Sequence, residues 1–525
     1  MRRPPLALLV PAVLTVLGVL LPLAYLVLRA FGAEAQELRE IVFRPRNLEL
    51  ALNTLGLTLA TLLTTTLVAL PLAYLVTRTD FRPRRLALLL GVLPLALPGY
   101  VGAYALIAAT GAGGALDTLL GLRIPGPSGF AGALGVLTLF TFPYLFLNLH
   151  SALRLGDPAL EEAARMLGRT RWQTFWEVTL PALRPAWLSG ALLTALHVLG
   201  DFSVVSLMRY PTFSAAIYQQ YTAAYDRVYS AWLALLLLVL TGAALWGEAR
   251  LMRGVSLARV SPATARQVVR QRLGGWAVAA GGFVLGLGTA ALVIPVLTIL
   301  YWLRLEQNPY AWASLGEALR TALGAAALAA LTTTALAFPL AYIGSRYNRP
   351  GRAGRWARVT ERVAYLGYAT PPLAFALALV FFTLQVVPSL YQTFALLLAA
   401  YTLHFVAEAV GPIRSGLVSA TPRLEEAARV LGHTPLQTLR RVTLPLLRPG
   451  LLASAAFVFL SVLKELPLTL LLSPIGFETL ARNVWTYTEE AQYASAAPYA
   501  LALLVSGALL TVLTLRGRRA GEAEG

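Results

Sequence analysis

Residues 161–186 read EEAARMLGRTRWQTFWEVTLPALRPA, and residues 425–450 read EEAARVLGHTPLQTLRRVTLPLLRPG. At an offset of 264, 17 of the 26 positions are identical. A second matched pair lies upstream, LPLAYLVTR at 70–78 and FPLAYIGSR at 338–346, at an offset of 268. Self-similarity at a fixed offset marks a chain built as two copies of one unit. The long match also carries helix punctuation. Asp157-Pro158 and Thr421-Pro422 set a capping side chain before a proline at the first helical position. A short helix follows over 161–167 and 425–431, and Gly168 and Gly432 can end it in the left-handed conformation. Thr170 with Gln173, and Thr434 with Gln437, have the spacing of a capping box that opens a second helix. Leu180-Pro181 and Leu444-Pro445 predict a bend before the next apolar run. Each loop therefore reads as a compact helix–turn–helix.

The sequence around the loops is that of a membrane protein. Of 525 residues, 57% are hydrophobic and 13% charged, where soluble domains carry about 25% charged residues. The stretches 4–28, 50–77, 86–116, 124–153, 273–303, 321–345 and 491–515 contain no Asp, Glu, Lys or Arg. Roughly 20 apolar residues cross a bilayer, so a soluble enzyme is excluded. Twelve spans are expected, near 6–28, 50–77, 86–109, 130–152, 186–207, 230–247, 275–303, 318–344, 363–387, 390–412, 450–473 and 494–515. The first is too long for the apolar core of a leader and reads as a retained helix. The fold class is thus an all-α polytopic membrane protein of two six-helix repeats. Residues 1–250 form the first half with loop 154–185, a basic linker spans 251–274, and 275–525 form the second half with loop 413–449. An even number of spans per repeat gives both halves the same orientation, related by an axis along the membrane normal.

Charge sets the expected orientation. The formal net charge is +18, which in a soluble chain would suggest nucleic acid. With the N-terminus placed inside, cytoplasmic segments hold 32 basic residues and outside segments 10. That bias is the positive-inside signal, with both termini and both matched loops cytoplasmic; nucleic acid is not an expected partner. There is no cysteine, which removes thiolate chemistry and Cys-ligated metal. Lys464 is the only lysine and sits in Val-Leu-Lys-Glu, so no P-loop is present.

The loops resemble a known family. Glu-Ala-Ala, three residues, Gly, nine residues, an aliphatic, one residue and Leu-Pro is the EAA signature of ABC importer permeases. Glu162, Ala163, Ala164, Gly168, Val178, Leu180 and Pro181 fit it, as do Glu426, Ala427, Ala428, Gly432, Val442, Leu444 and Pro445. The resemblance implies a permease subunit without catalytic residues, cofactor or nucleotide site of its own. Each loop would be a coupling helix seated in one of two separate ABC ATPase subunits on the cytoplasmic face. The small residues would admit close approach, and Glu162 and Glu426 would bond the groove or cap locally. An extracytoplasmic solute-binding protein would deliver cargo through the inner membrane. The chain looks like the fused variety and most resembles ferric-iron uptake permeases. Lys464-Glu465-Leu466-Pro467-Leu468-Thr469-Leu470-Leu471-Leu472 is similar to their second-half motif, with Gly200-Asp201-Phe202 at the same place in the first half. Fused permeases for thiamine and aminoethylphosphonate look similar.

Ionisable groups at bilayer depth usually face a bundle interior. His197 with Asp201, and His404 with Glu408, are four residues apart and are expected to share helix faces. With Lys464 and Glu465 they are the candidate translocation path; pairing that holds the halves together is the competing reading. Four histidines and no cysteine leave no dedicated metal site. Pro71, Pro98, Pro339, Pro371 and Pro372 interrupt spans, either as packing kinks or as cavity-lining breaks. Tyr25, Tyr100, Trp302, Tyr310 and Trp312 read as an interfacial belt. Segments 210–227 and 476–492 match between halves and are candidate surfaces for a binding protein. A gradient-driven secondary transporter is the rival class, with Asp201, Glu408 and Glu465 as its coupling groups.

Overall fold

The computed structural model describes residues 5–32, 34–156, 158–253, 270–347 and 352–523. Asp157 and most of the 251–274 linker lie outside the described residues. Among those described the chain is helical, and its one extended pairing is a single parallel bridge between Thr79 and Gln271.

The helix Pro45–Arg78 shows why these segments need a bilayer. Leu48, Leu52, Leu55, Leu59, Leu63 and Leu67 line one face at helical spacing and are 40–65% exposed. The opposite face buries Thr54, Thr58, Thr61 and Thr65. The Thr54, Thr58 and Thr65 hydroxyls donate to carbonyls one turn back, at 2.7 Å each. Leucine outside and threonine inside inverts the soluble pattern. It is stable only where the surroundings are as apolar as leucine.

Nine helices among the described residues are long and apolar enough to cross a membrane, and two bent pairs bring the total to eleven. The bent pairs are Arg84–Ala96 with Gly99–Ala109, turned by 99°, and Arg362–Ala369 with Pro372–Val386, turned by 104°. The twelfth expected span falls on Tyr493–Ala523, of which Tyr493–Leu509 is a shorter apolar helix. Pro98 and Pro371 sit at the bends, whereas Pro71, which is exposed, and Pro339, which is buried, lie inside unbroken helices.

The halves pack alike. Pro45–Arg78 lies along Gly129–Leu155, and Pro309–Arg346 lies along Phe394–Ser419. The Thr64 and Thr138 hydroxyls meet at 2.6 Å, and those of Thr332 and Thr402 at 2.8 Å. The first helix of each half crosses over. Leu6–Ala30 packs on Pro372–Val386 and Pro309–Arg346, and Ile294–Leu305 packs on Gly99–Ala109. Gly102 makes room for its bent span: a Cβ there would meet the Phe140 ring at 2.1 Å.

Candidate coupling loops and translocation chamber

Asp157 aside, both loops fold as their punctuation dictates, with two exceptions. The first helices run Pro158–Met166 and Pro422–Val430. Gly168 and Gly432 end them at φ of 86° and 87°. The residues after them donate back to Ala164 and Ala428 carbonyls at 3.1 Å, closing Schellman-type turns. Thr170 and Gln173, and Thr434 and Gln437, form complete capping boxes. Thr421 is extended before Pro422, but its side chain makes no capping bond. The bend expected at Pro181 and Pro445 is replaced by continuity. Arg171–Gly200 and Pro435–Leu463 are single helices, with π-helical turns over Phe175–Thr179 and Leu439–Thr443. Such a turn shifts the hydrogen-bond frame by one residue, and this accommodates a proline that has no N–H to donate.

Glu162, Ala163 and Gly168 are exposed, as are Glu426, Ala427 and Gly432. Ala164 is half-buried and Ala428 buried. Beside them Met166, Leu167, Val430 and Leu431 stand 80–88% exposed. Two apolar knobs per loop thus project where a partner would sit. The preceding glutamates turn the other way. Glu161 Oε1 lies 3.2 Å from Arg78 Nη2 and accepts from the Thr179 hydroxyl at 3.1 Å. Glu425 Oε1 accepts from Arg346 Nε and Nη2 at 3.1 Å, and its Oε2 accepts from the Tyr342 hydroxyl at 2.9 Å. Arg346 also donates to the carbonyls of Leu417 and Ala420. Arg78 lies against Gly156, the position that matches Ala420. Sequence reasoning passed over these pairs, although both matched nonapeptides end on the arginine concerned.

The bent spans enclose a chamber of about 310 Å³. His197, Asp201, His404, Lys464 and Glu465 line it with Tyr144, Tyr368, Ser461 and the broken-span residues Pro98, Pro371 and Pro372. Tyr100 lines it too, buried, so it is no part of an interfacial belt. Tyr310 and Trp312 are exposed. Asp201 does not share a helix face with His197, because the helix ends at Gly200. Its Oδ1 accepts instead from the Val204 N–H at 2.8 Å. Glu465 does the same more fully. Its carboxylate accepts from the N–H groups of Leu468 and Thr469 at 2.7 and 3.0 Å, and from the Thr469 hydroxyl at 3.0 Å. Both acids hold the start of the helix that resumes after a break, satisfying donors that the bilayer would leave bare. Lys464 Nζ donates to the Leu95 carbonyl at 2.6 Å, an acceptor on the other half's bent span.

Tyr144 and Glu408 are equivalent at the 264 offset, as are His197 and Ser461. Each pair touches. Tyr144 and His197 rings lie 5.5 Å apart, and Ser461 donates to Glu408 Oε1 at 2.9 Å. Glu408 thus stands behind Ser461 rather than lining the chamber. His404 is boxed by Phe375, Phe405 and Tyr368. Among the described residues no three His, Asp or Glu side chains gather as a metal-binding group. On the side away from the loops, the helices Phe213–Thr222 and Leu480–Glu489 are tied together by Phe202, whose ring lies 4.5 Å from Tyr218 and 5.0 Å from Trp485.

The family model of the binding-protein-dependent transport system inner membrane component matches residues 66–247 and again 338–516. The Fe(3+)-transport system permease protein FbpB 2 of Haemophilus influenzae is 32% identical over 508 residues, 96% of this chain and 97% of that protein. The sulfate transport system permease protein CysT of Salmonella typhimurium is 27% identical over 268 residues, 45% of this chain and 93% of that one. The molybdenum transport system permease protein ModB of Escherichia coli is 34% identical over 112 residues, 21% and 49% of the two chains. This chain belongs to the binding-protein-dependent inner membrane components: it is an ABC importer permease, carrying the family's unit twice.

Proposed function

We propose that this permease carries ferric iron inward by alternating access, with ATP hydrolysed by two separate subunits on its coupling loops. The observation that carries the substrate is the relative that shares both halves end to end, which is named for Fe(3+) transport. The sulfate and molybdenum permeases align with half of the chain or less. Residues 1–250 and 275–525 act as the two six-helix halves, both termini and the 251–274 linker are cytoplasmic, and the arginine bias supports that orientation. Glu162, Ala163, Ala164 and Gly168 face one ATPase; Glu426, Ala427, Ala428 and Gly432 face the other. His197, Asp201, His404, Glu408, Lys464 and Glu465 form or back the chamber through which cargo passes. An extracytoplasmic binding protein delivers it onto the Phe213–Thr222 and Leu480–Glu489 side.

A gradient-driven mechanism needs carboxylates free to exchange protons or bind ions. The hydrogen bonds of Asp201 and Glu465 to backbone N–H groups argue against that role. The deciding experiment reconstitutes the permease with its ATPases and binding protein in liposomes. Radiolabelled ferric iron accumulates inside only when ATP is supplied, and unlabelled thiamine or aminoethylphosphonate does not compete. Competition by either would replace the substrate and leave the mechanism. Uptake driven by an ion gradient without ATP would overturn the mechanism itself.

A further inference from the structure

Each coupling helix sits between two spans of its own half: Gly129–Leu155 runs into Pro158–Met166, and Phe394–Ser419 runs into Pro422–Val430. The Pro158–Met166 helix leads through its turn and π-helical segment into Leu180–Gly200, and Pro422–Val430 leads likewise into Leu444–Leu463. A third connection in each half is not covalent. Arg78 and Arg346 are the last residues of Pro45–Arg78 and Pro309–Arg346, and each reaches the first-turn glutamate of its coupling helix, Glu161 or Glu425. The four side chains are 5–12% exposed. Burial weakens competition from water and salt, so such pairs resist displacement far better than surface pairs. Glu161 is also bonded to Thr179 in the π-helical turn, which joins coupling helix, turn and neighbouring span at one carboxylate. The spans so joined lie along Gly129–Leu155 and Phe394–Ser419, which carry the chamber residues Tyr144 and His404.

We infer that Arg78–Glu161 and Arg346–Glu425 are transmission pins: they make each coupling helix drive three spans instead of two, so that ATPase closure reshapes the chamber. Arg78, Glu161, Arg346 and Glu425 are positioning residues that act on transport through the spans they join. Glu162 and Glu426 face outward toward the ATPases, whereas the pins face inward. The inference rests on reading the loops as ATPase-coupling loops.

The test reads motion without needing the cargo. The chain has no cysteine, so spin labels can be placed uniquely on Gln219→Cys and Thr486→Cys, exposed and matching positions of the two outer helices. In the labelled permease–ATPase complex, trapping with ATP and vanadate changes the distance between labels. With Arg78→Gln and Arg346→Gln added, the ATPases still co-purify and hydrolyse ATP within about twofold, while the distance change shrinks about fivefold. Glu161→Gln with Glu425→Gln keeps shape and volume if the arginine pair does not assemble, and carries the same expectation. A distance change of full size in either pair, with ATP being hydrolysed, overturns the pins. So does loss of the ATPases from both pairs, which would make these residues part of the ATPase seat. If the permease without pin substitutions retains no ATPase, the coupling-loop reading fails instead.

Discussion

Glu161 and Glu425 stand at matching positions in loops that share most of their residues, yet they are held in different ways. Glu425 takes two nitrogens of Arg346 and the hydroxyl of Tyr342, and the same arginine closes two carbonyls. Glu161 takes one nitrogen of Arg78 and the hydroxyl of Thr179. Tyr74, the counterpart of Tyr342, faces Gln271 of the linker instead. The described end of that linker, from residue 270 on, runs along the corner after Arg78. The Gln271 N–H donates to the Arg78 carbonyl at 2.8 Å, the Asp80 N–H donates to the Gln271 carbonyl at 3.0 Å, and the Leu273 N–H donates to Asp80 Oδ1 at 3.0 Å. The first half has its corner fixed by the connection to the second half; the second half fixes its own with a tyrosine. Duplicated loops can keep their outer faces alike while the buried faces find separate solutions.

That difference can be broken by substitution, starting with the arginines. Arg346→Ala leaves Glu425 buried without its main cation and frees two carbonyls, a loss of about 3 kcal/mol. Arg78→Ala loses about half as much, because Thr179 stays on Glu161. Thermal unfolding in detergent orders the two, and equal losses would mean equivalent clamps. A similar contrast holds at the breaks beside the chamber. Glu465→Ala removes the acceptor of three bonds and costs about 2 kcal/mol, while Asp201→Ala costs about 1 kcal/mol. The same unfolding experiment reads both, and transport that survives in either variant would argue for a capping role alone. Next come the tyrosines. Tyr342→Phe lowers stability by about 1 kcal/mol. Tyr74→Phe leaves the unfolding midpoint nearly unchanged and speeds amide exchange at Gln271, seen by mass spectrometry. The smallest effect tests where the halves agree: Thr138→Val and Thr402→Val each cost about 0.6 kcal/mol, and a large difference between them would show that the symmetry of the Thr64–Thr138 and Thr332–Thr402 contacts is superficial.

Local punctuation in this chain was legible because local bonds decide it. Gly168, Gly432 and the two capping boxes depend on residues within four positions of each other, and they fold as read. The apolar runs were equally plain, since a bilayer dictates their length. Pro181 and Pro445 were harder. A proline inside a helix forbids one hydrogen bond, but nothing in the local pattern says whether the chain kinks or slips its frame by one residue. The capping bonds of Asp201 and Glu465 were hidden for a related reason. That a carboxylate at membrane depth also caps a helix is visible only once the backbone is known to break beside it. Arg78 and Arg346 needed packing to connect them with Glu161 and Glu425, although each copy repeats the pair. Tyr100 belongs to a bent span, so its distance along the chain from the span's start said little about its depth.

The unlike walls of the chamber bear on how the chain is inherited and made. One wall brings Tyr144 and His197, the other Ser461, Lys464 and Glu465. Two copies of the first wall would have no ammonium to meet the Leu95 carbonyl, and two copies of the second would bury a pair of lysines in one small space. Halves made as separate chains would have to sort themselves against both mismatched pairings. Joined in one polypeptide, every molecule receives one wall of each kind, and the ratio of parts is settled at translation.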